Sequence, residues 1–115
     1  MRNDKQNLIV DLTIQFALNI IEYSEVLESA KKFVIAKQLL KSGTSIGANV
    51  HEAQNAESKA DFIHKLKIAA KEADETDYWL ILCEKSKNYP FNNTLKVELK
   101  SIIKVLSKII SSSKK

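Results

Sequence analysis

One apolar stripe in the second half of the chain repeats with a spacing that an α-helix satisfies. Its members lie alternately four and three residues apart: Phe62, Leu66, Ala69, Ala73, Thr76, Leu80 and Cys83. At 3.6 residues per turn, this spacing places them on one face of a helix. Ser58 and Asp61 fit the start of that helix, because a serine caps a first turn well and an acidic side chain is favourable near the positive end of the helix dipole. The pattern predicts a helix over residues 58–87.

Three further segments show the same repeat and predict helices over about residues 5–27, 31–54 and 93–110. The stripe of the first segment contains Ile9, Thr13, Phe16, Ile20, Tyr23 and Leu27. The stripe of the second contains Ala36, Leu40, Gly43, Gly47 and Val50, widened by Leu39, Ile46 and Ala53. The stripe of the last contains Leu95, Leu99, Ile102, Leu106 and Ile109. Residues 88–93 around Pro90 form the clearest turn, and Asn92 or Asn93 can cap the helix that follows.

The scarcity of turn-forming residues supports an all-helical fold. The chain has 2 glycines and 1 proline in 115 residues, whereas average usage supplies roughly 8 and 6. β-Sandwiches, barrels and glycine-cradled nucleotide folds need more of both. At this length we expect one domain, residues 1–115, of the all-α class. Four helices with short connections predict an antiparallel up-down four-helix bundle.

The number of cysteines and the spacing of the charged residues indicate the cellular compartment of the protein. The single cysteine, Cys83, cannot form an internal disulfide, which favours a reducing environment. The longest uncharged segments, residues 12–21 and 42–51, are too short to span a bilayer. The first eight residues are polar and lack a signal-peptide core. We therefore expect a cytoplasmic protein that does not interact with membranes.

Known metal-binding and catalytic motifs are incomplete in this sequence. His51 and Glu52 begin like the zinc-protease motif HExxH, but Asn55 stands where the second histidine belongs. Di-metal four-helix bundles need a glutamate three residues before a histidine, and neither His51 nor His64 has one. We expect no metal, no cofactor, no small-molecule substrate and no enzymatic activity.

An acidic cluster on the third helix leaves one catalytic alternative open. Its members are Glu72, Asp74, Glu75 and Asp77. Charge runs on helices are usually solvated faces, which is the favoured interpretation. The alternative is a carboxylate metal enzyme built on Glu52, Glu72 and Glu75, which requires these three side chains to converge in the core.

Two glycines in the middle of the second helix demand an explanation, because each costs roughly 1 kcal/mol of helix propensity relative to alanine. We expect Gly43 and Gly47 to let a neighbouring helix pack closely. A phosphate-binding loop is the alternative, but a lysine followed by serine or threonine should then follow the second glycine, and Ala48 and Asn49 follow instead.

The fourth helix concentrates positive charge. The lysines recur every four residues and so lie along one gently drifting surface of the helix: Lys96, Lys100, Lys104 and Lys108. This surface is a candidate nucleic-acid-binding site that follows a phosphate backbone. Arg2 is the only arginine, so any binding would be lysine-driven and weakly sequence-selective. The alternative is a face that serves solubility alone.

A run of six apolar or aromatic residues, 78–83, covers the whole circumference of the third helix. A four-helix monomer buries only about half of such a ring, which leaves an exposed apolar patch unless a partner covers it. We therefore predict self-association through this segment, with Trp79 as the anchor. The predicted oligomer-interface residues are Tyr78, Trp79, Ile81 and Leu82.

Longer stretches of the sequence resemble a known family. Residues 38–53 (QLLKSGTSIGANVHEA), 58–66 (SKADFIHKL) and 70–80 (AKEADETDYWL) are similar, in the same order, to the bacterial four-helix-bundle family of 23S ribosomal RNA intervening-sequence proteins. The resemblance implies a homo-oligomeric, typically pentameric, ring of four-helix bundles with no established catalytic activity. One departure is Lys41, where the family often has an arginine.

A relative of that family adds an expectation about partners. The accessory variability determinant of diversity-generating retroelements is a similar pentameric bundle that works with a reverse transcriptase and nucleic acid. The resemblance therefore implies an RNA-associated scaffold. Our hypothesis from the sequence is a non-enzymatic, homo-oligomeric scaffold with modest lysine-driven binding to ribosomal or other structured RNA, or to a ribonucleoprotein. The alternative is a protein-interaction scaffold that binds no nucleic acid.

Overall fold

The structure, a computed structural model, describes residues 4–114, with side chains from Leu8 onward. These residues form four α-helices: α1 (Asp4–Ser29), α2 (Phe33–Ala53), α3 (Lys59–Lys85) and α4 (Thr94–Ser113). Between residues 4 and 114 there is no β-strand. Each helix begins and ends within three residues of the bounds that the apolar periodicity predicts. The predicted all-α class is confirmed.

The four helices form a square. α1 and α3 each contact both α2 and α4, whereas no close approach joins α1 to α3 or α2 to α4 within the described range. Neighbouring helices are antiparallel, since Gly43 of α2 lies beside Ile20 of α1 while Gly47 lies beside Thr13. The bundle measures 46 × 19 × 19 Å along its principal axes. Because α1 and α3 are diagonal, their outward surfaces point away from each other.

Local hydrogen bonds set the ends of the helices. The hydroxyl of Ser58 accepts a hydrogen bond from the backbone N–H of Asp61 at 3.0 Å, and a carboxylate oxygen of Asp61 accepts one from the N–H of Glu57 at 3.2 Å. These bonds satisfy N–H groups that a helix start leaves without partners. At the start of α4 the N-cap residue is Asn93, and the side-chain oxygen of the preceding Asn92 accepts from the N–H of Thr94 at 2.8 Å.

The turn between α1 and α2 places a lysine in the left-handed region. Lys31 has a φ of 65°, its N–H bonds to the carbonyl of Glu28, and the N–H of Lys32 bonds to the carbonyl of Leu27, each at 2.8 Å. This pair of bonds is the Schellman motif, in which glycine is the favoured residue. The left-handed conformation costs a lysine about 1 kcal/mol or more.

All four helices contribute to one apolar core. Its largest fully buried side chains are Phe16, Ile9, Ile20, Leu27, Leu39, Ile46, Leu66, Leu80, Leu99, Ile102, Leu106 and Val50. In α2 the expected stripe is shifted, because Leu39 is fully buried whereas Leu40 is 40% exposed. Leu40 lies seven residues before Gly47, so it belongs to the row of α2 that faces α1. The row that enters the core contains Leu39 and lies closer to α3. The prediction that Leu40 belongs to the core is wrong.

Two buried hydroxyl groups in this core are hydrogen-bonded to each other across two helices. The hydroxyl oxygens of Ser42 and Thr76 are 2.9 Å apart, and that of Thr76 lies 2.7 Å from the carbonyl oxygen of Glu72. Because a carbonyl only accepts, Thr76 donates to Glu72 and Ser42 donates to Thr76. This contact joins α2 to α3 in the interior. Among the helices described, none carries an apolar segment of sufficient length to cross a membrane.

Candidate nucleic-acid and self-association surfaces

The two glycines of α2 lie where α1 packs closely against α2. A Cβ atom added at Gly43 would lie 2.9 Å from both Cγ atoms of Ile20, and one added at Gly47 would lie 3.3 Å from Cβ of Thr13. The first distance is too short for two carbon atoms, so Gly43 allows the approach that an alanine would prevent. These glycines act through helix packing and line no phosphate-binding loop, because both lie inside α2.

The four candidate lysines of α4 do not share one environment. Lys96 Nζ lies 2.9 Å from a carboxylate oxygen of Glu84 and is half-buried. Lys100, Lys104 and Lys108 are exposed, and no ion pair engages them in the described part of the chain. We call these three the α4 ridge. Sequence reasoning missed the pairing of Lys96, because it depends on the register between α3 and α4.

The α4 ridge adjoins a shallow groove between α3 and α4. The groove has a volume of about 410 Å³ and is lined by Asp77, Asn93, Lys96, Val97, Lys100 and Ile103. Its charged groups, two lysines and one aspartate, leave it net positive. The groove extends the basic surface of α4 toward α3.

The predicted interface residues of α3 divide into two groups. Tyr78 is 54% exposed, and Ile81 and Leu82 are half-buried. Trp79 instead packs against the core and donates its indole N–H to a carboxylate oxygen of Glu75 at 3.1 Å. The rings of Tyr78 and Trp79 meet edge to face with centroids 5.2 Å apart. We call Tyr78, Ile81 and Leu82 the α3 patch; Trp79 is half-buried as well and contacts the patch through Tyr78.

A second apolar surface, which the sequence analysis did not identify, lies on the outside of α1. Ile14 and Leu18 are each 52% exposed and Ile21 is 38% exposed, at the i, i+4 and i+7 spacing of one helical face. With Leu40 of α2, on the row that faces α1, they form what we call the α1 stripe. The signal was the uncharged run at residues 12–21, which holds more apolar residues than one core-facing stripe needs.

Two of the three carboxylates considered for a metal enzyme have other partners. Glu52 accepts from Lys65 Nζ at 3.0 Å, and this bond raises the pKa of the Lys65 ammonium. Glu75 accepts from Trp79. In the described residues no group of three or more His, Cys, Asp or Glu side chains is placed to hold a metal ion. The convergence that the carboxylate-enzyme alternative requires, with Glu72 as third member, is absent from this range.

The buried thiol and a buried phenol face each other in the core. Burial raises the pKa of the Cys83 thiol. The Tyr23 phenol donates to the carbonyl of Pro90 at 2.6 Å, and burial is the main reason that its pKa lies far above the ordinary value. Both groups are neutral near pH 7. A buried neutral thiol is a poor nucleophile.

A cleft at one end of the bundle is built around the connection to α4. It has a volume of about 410 Å³ and lies between α1, the α3–α4 loop and the start of α4. The amide nitrogen of Asn19 donates to both carboxylate oxygens of Glu98, at 3.0 and 2.9 Å. Together with the Tyr23 to Pro90 bond, this contact holds α4 against α1.

Comparison with known proteins agrees with the fold and the sequence resemblance. A sequence model of the family described as 23S rRNA-intervening sequence protein matches residues 5–112. A crystal structure from Bacteroides thetaiotaomicron, a protein of unknown function from the S23 ribosomal protein family, is 43% identical with a TM-score of 0.85; the match covers 93% of this chain and 98% of that one. No curated protein matches. The chain belongs to the family of 23S rRNA-intervening sequence proteins.

Proposed function

We propose that this protein is a non-enzymatic, homo-oligomeric scaffold that associates with RNA through α4. The observation that carries the proposal is the α4 ridge: Lys100, Lys104 and Lys108 are exposed and engaged by no carboxylate in the described range. The family description names an insertion in ribosomal RNA, which makes RNA the polyanion to test. The free, buried thiol of Cys83 fits a reducing compartment such as the cytoplasm.

The chemistry of the ridge sets the kind of binding. A lysine ammonium is a compact, strongly hydrated charge that neutralises a phosphate without reading bases. Three phosphate contacts give an affinity that falls about 20- to 40-fold between roughly 50 and 200 mM salt. Each further copy in an oligomer adds another ridge, so an RNA that spans several copies binds more tightly than one that reaches a single copy.

Self-association is supported by the apolar surface that one chain leaves open. The α3 patch and the α1 stripe both expose large apolar side chains, and contiguous exposed apolar surface of this kind marks interaction sites. From the resemblance to intervening-sequence proteins, we propose that five copies form a ring. A pentamer would place five α4 ridges on one particle.

The test compares two triple charge reversals in binding to a fragment of 23S ribosomal RNA at the two salt concentrations. K100E/K104E/K108E removes the ridge, and K37E/K67E/K87E makes the same change in net charge at exposed lysines elsewhere. We expect the ridge variant to lose the salt-dependent binding and the control to keep most of it. Equal loss in both variants, or unchanged binding in both, would contradict a role for the ridge.

A scaffold without nucleic-acid binding is the second candidate function. α4 buries Leu95, Leu99, Ile102, Leu106 and Ile109, and lysines on the opposite face of such a helix also serve solubility. Wild-type protein that forms an oligomer but binds no RNA at either salt concentration would favour this candidate. The search would then turn to protein partners.

A further inference from the structure

We propose that self-association is head-to-tail: the α1 stripe of one copy packs on the α3 patch of a second copy. This inference rests on the proposed self-association and names its two surfaces. Within the described residues both surfaces are open, and they cannot cover each other in one chain because α1 and α3 occupy diagonal corners of the bundle. The partner is a second copy of this chain, because the charges beside the two surfaces are opposite in sign.

Leu18 of the α1 stripe lies on a row of α1 that has an acidic residue at each end. Asp11, Leu18 and Glu25 follow one another at seven-residue intervals, so they lie along one row of α1 roughly 10 Å apart. All three are exposed. Between residues 8 and 30 there is no lysine or arginine. An apolar side chain between two carboxylates therefore faces solvent on this helix.

Tyr78 of the α3 patch lies on a row of α3 that has the same spacing and a basic residue at each end. Lys71, Tyr78 and Lys85 also follow at seven-residue intervals, and all three are exposed. Neither lysine is engaged in an ion pair within the described range. Asp74 and Glu75 lie beside this row, and Glu75 is turned to the indole of Trp79. The row thus presents an aromatic side chain between two ammonium groups.

The charges of the α1 row and the α3 row are complementary, whereas two copies of the same row would repel each other. When the α1 row of one copy packs on the α3 row of another, Leu18 lies against Tyr78 and each carboxylate lies against an ammonium group. This pairing is the same whether the two helices are parallel or antiparallel. Two α1 rows packed together would oppose carboxylates, and two α3 rows would oppose lysines, which is unfavourable across an interface. Different surfaces on the two partners make the contact heterologous, so it continues from copy to copy and closes into a ring when the rotation permits. The α4 ridge takes no part and stays open.

Two variants that each remove one surface provide the main test. I14Q/L18Q removes apolar contact from the α1 stripe, Y78Q/I81Q removes it from the α3 patch, and V97Q is a matched control on exposed α4 surface. Mass is measured by light scattering after size exclusion, with far-ultraviolet circular dichroism to verify helix content. We expect each surface variant alone to be a single chain, V97Q to keep the wild-type mass, and a mixture of the two surface variants to form a complex of one copy of each.

The mixture separates this arrangement from the others. I14Q/L18Q still has its α3 patch and Y78Q/I81Q still has its α1 stripe, so only a heterologous contact joins them. If Y78Q/I81Q kept the wild-type mass while I14Q/L18Q became monomeric, α1 would contact α1 and the proposal would be overturned. If the wild type is an oligomer and both variants keep its mass, the head-to-tail contact would also be overturned. The proposed self-association would then remain, through other surfaces. A monomeric wild type would remove the proposed self-association itself, and this inference with it.

A charge exchange tests the row pairing with variants that alter only exposed side chains. D11K/E25K and K71E/K85E each place like charges opposite one another and should weaken association. The chain carrying all four changes restores opposite charges and the wild-type net charge, and we expect it to associate as the wild type does. Failure of the fourfold variant to recover association would contradict the pairing of these two rows.

Discussion

The outward faces of α1 and α4 differ although their inward faces are alike. Both helices bury large apolar side chains almost completely, as Phe16 of α1 and Leu99 of α4 show. On the outside, α1 exposes Ile14 and Leu18, whereas the outside of α4 is dominated by the α4 ridge. The core requires the inward faces and leaves the outward faces free, so the outward faces indicate what each helix does beyond folding.

The physical consequences of the two outward faces are opposite. Covering an exposed leucine or isoleucine gains up to about 1.5–3 kcal/mol per side chain, so the α1 stripe favours association with another apolar surface. Lysine ammonium groups lose hydration when they are covered and favour a wet, polyanionic partner. We therefore propose protein contact for α1 and nucleic-acid contact for α4.

The largest predicted effect is a loss of stability that distinguishes the inward face of α1 from its outward face. Phe16→Ala deletes a ring that is 1% exposed and should lower the free energy of unfolding by about 3–5 kcal/mol. Leu18→Ala, two residues away, should change the stability of the dissociated chain by less than about 0.5 kcal/mol while weakening association. Urea denaturation at low protein concentration, paired with light scattering, measures both. Similar stability losses in the two variants would contradict the assignment of Leu18 to an intermolecular surface.

The next effect concerns the packing that positions α1 against α2. Gly43→Ala gains about 1 kcal/mol of helix propensity but places a Cβ atom 2.9 Å from the buried side chain of Ile20, and overpacking costs about 1–3 kcal/mol. We expect a net loss of about 1 kcal/mol. Gly47→Ala meets Thr13 at 3.3 Å and should stay within about 0.5 kcal/mol of the wild type. Equal thermal stability of the two variants would be the contrary result.

A pH-dependent change in the free energy of unfolding, of similar size, tests the hydrogen bond that joins α1 to the loop before α4. Tyr23→Phe removes the hydrogen bond to Pro90 and should cost about 1 kcal/mol near pH 7. The pKa of Tyr23 is raised in the folded state, mainly by burial, so above about pH 10 the unfolded state loses its proton first and wild-type stability falls. The difference between the two proteins should therefore shrink toward zero near pH 11. A difference in the free energy of unfolding that is constant with pH would contradict this account.

The smallest predicted effect is a gain in the turn that joins α1 to α2. Lys31→Gly relieves the left-handed conformation at φ 65° and should stabilise the protein by about 0.5–1 kcal/mol. Lys31→Ala is the control, because alanine has a Cβ atom and keeps the cost of the left-handed conformation. A stabilisation of equal size in both variants, measured by thermal unfolding, would show that backbone strain is not the cause.

The fold was predictable because its signals are local. The repeat from Phe62 to Cys83 and the cap at Ser58 depend only on helix geometry, and the structure places both where the sequence indicates. The register of α2 was harder to predict. Leu39 and Leu40 are adjacent and equally apolar, and the position of α3 decides which of them is buried.

The candidate surfaces were predictable only in part, because they depend on contacts between helices. The exposure of Tyr78 follows from a ring of apolar residues that no bundle can bury completely. The pairing of Lys96 with Glu84 and the packing of Trp79 against the core require the position of a neighbouring helix. The α1 stripe had a local signal, but an uncharged run of ten residues also describes an ordinary buried helix.

The most direct test of the different roles of α1 and α4 is the mass of two variants by light scattering after size exclusion. I14Q/L18Q changes the outward face of α1, and K100E/K104E/K108E changes the outward face of α4. The account predicts that the first variant is a single chain and that the second keeps the oligomeric mass of the wild type. An oligomer that survives the change on α1, or dissociates with the change on α4, would contradict it.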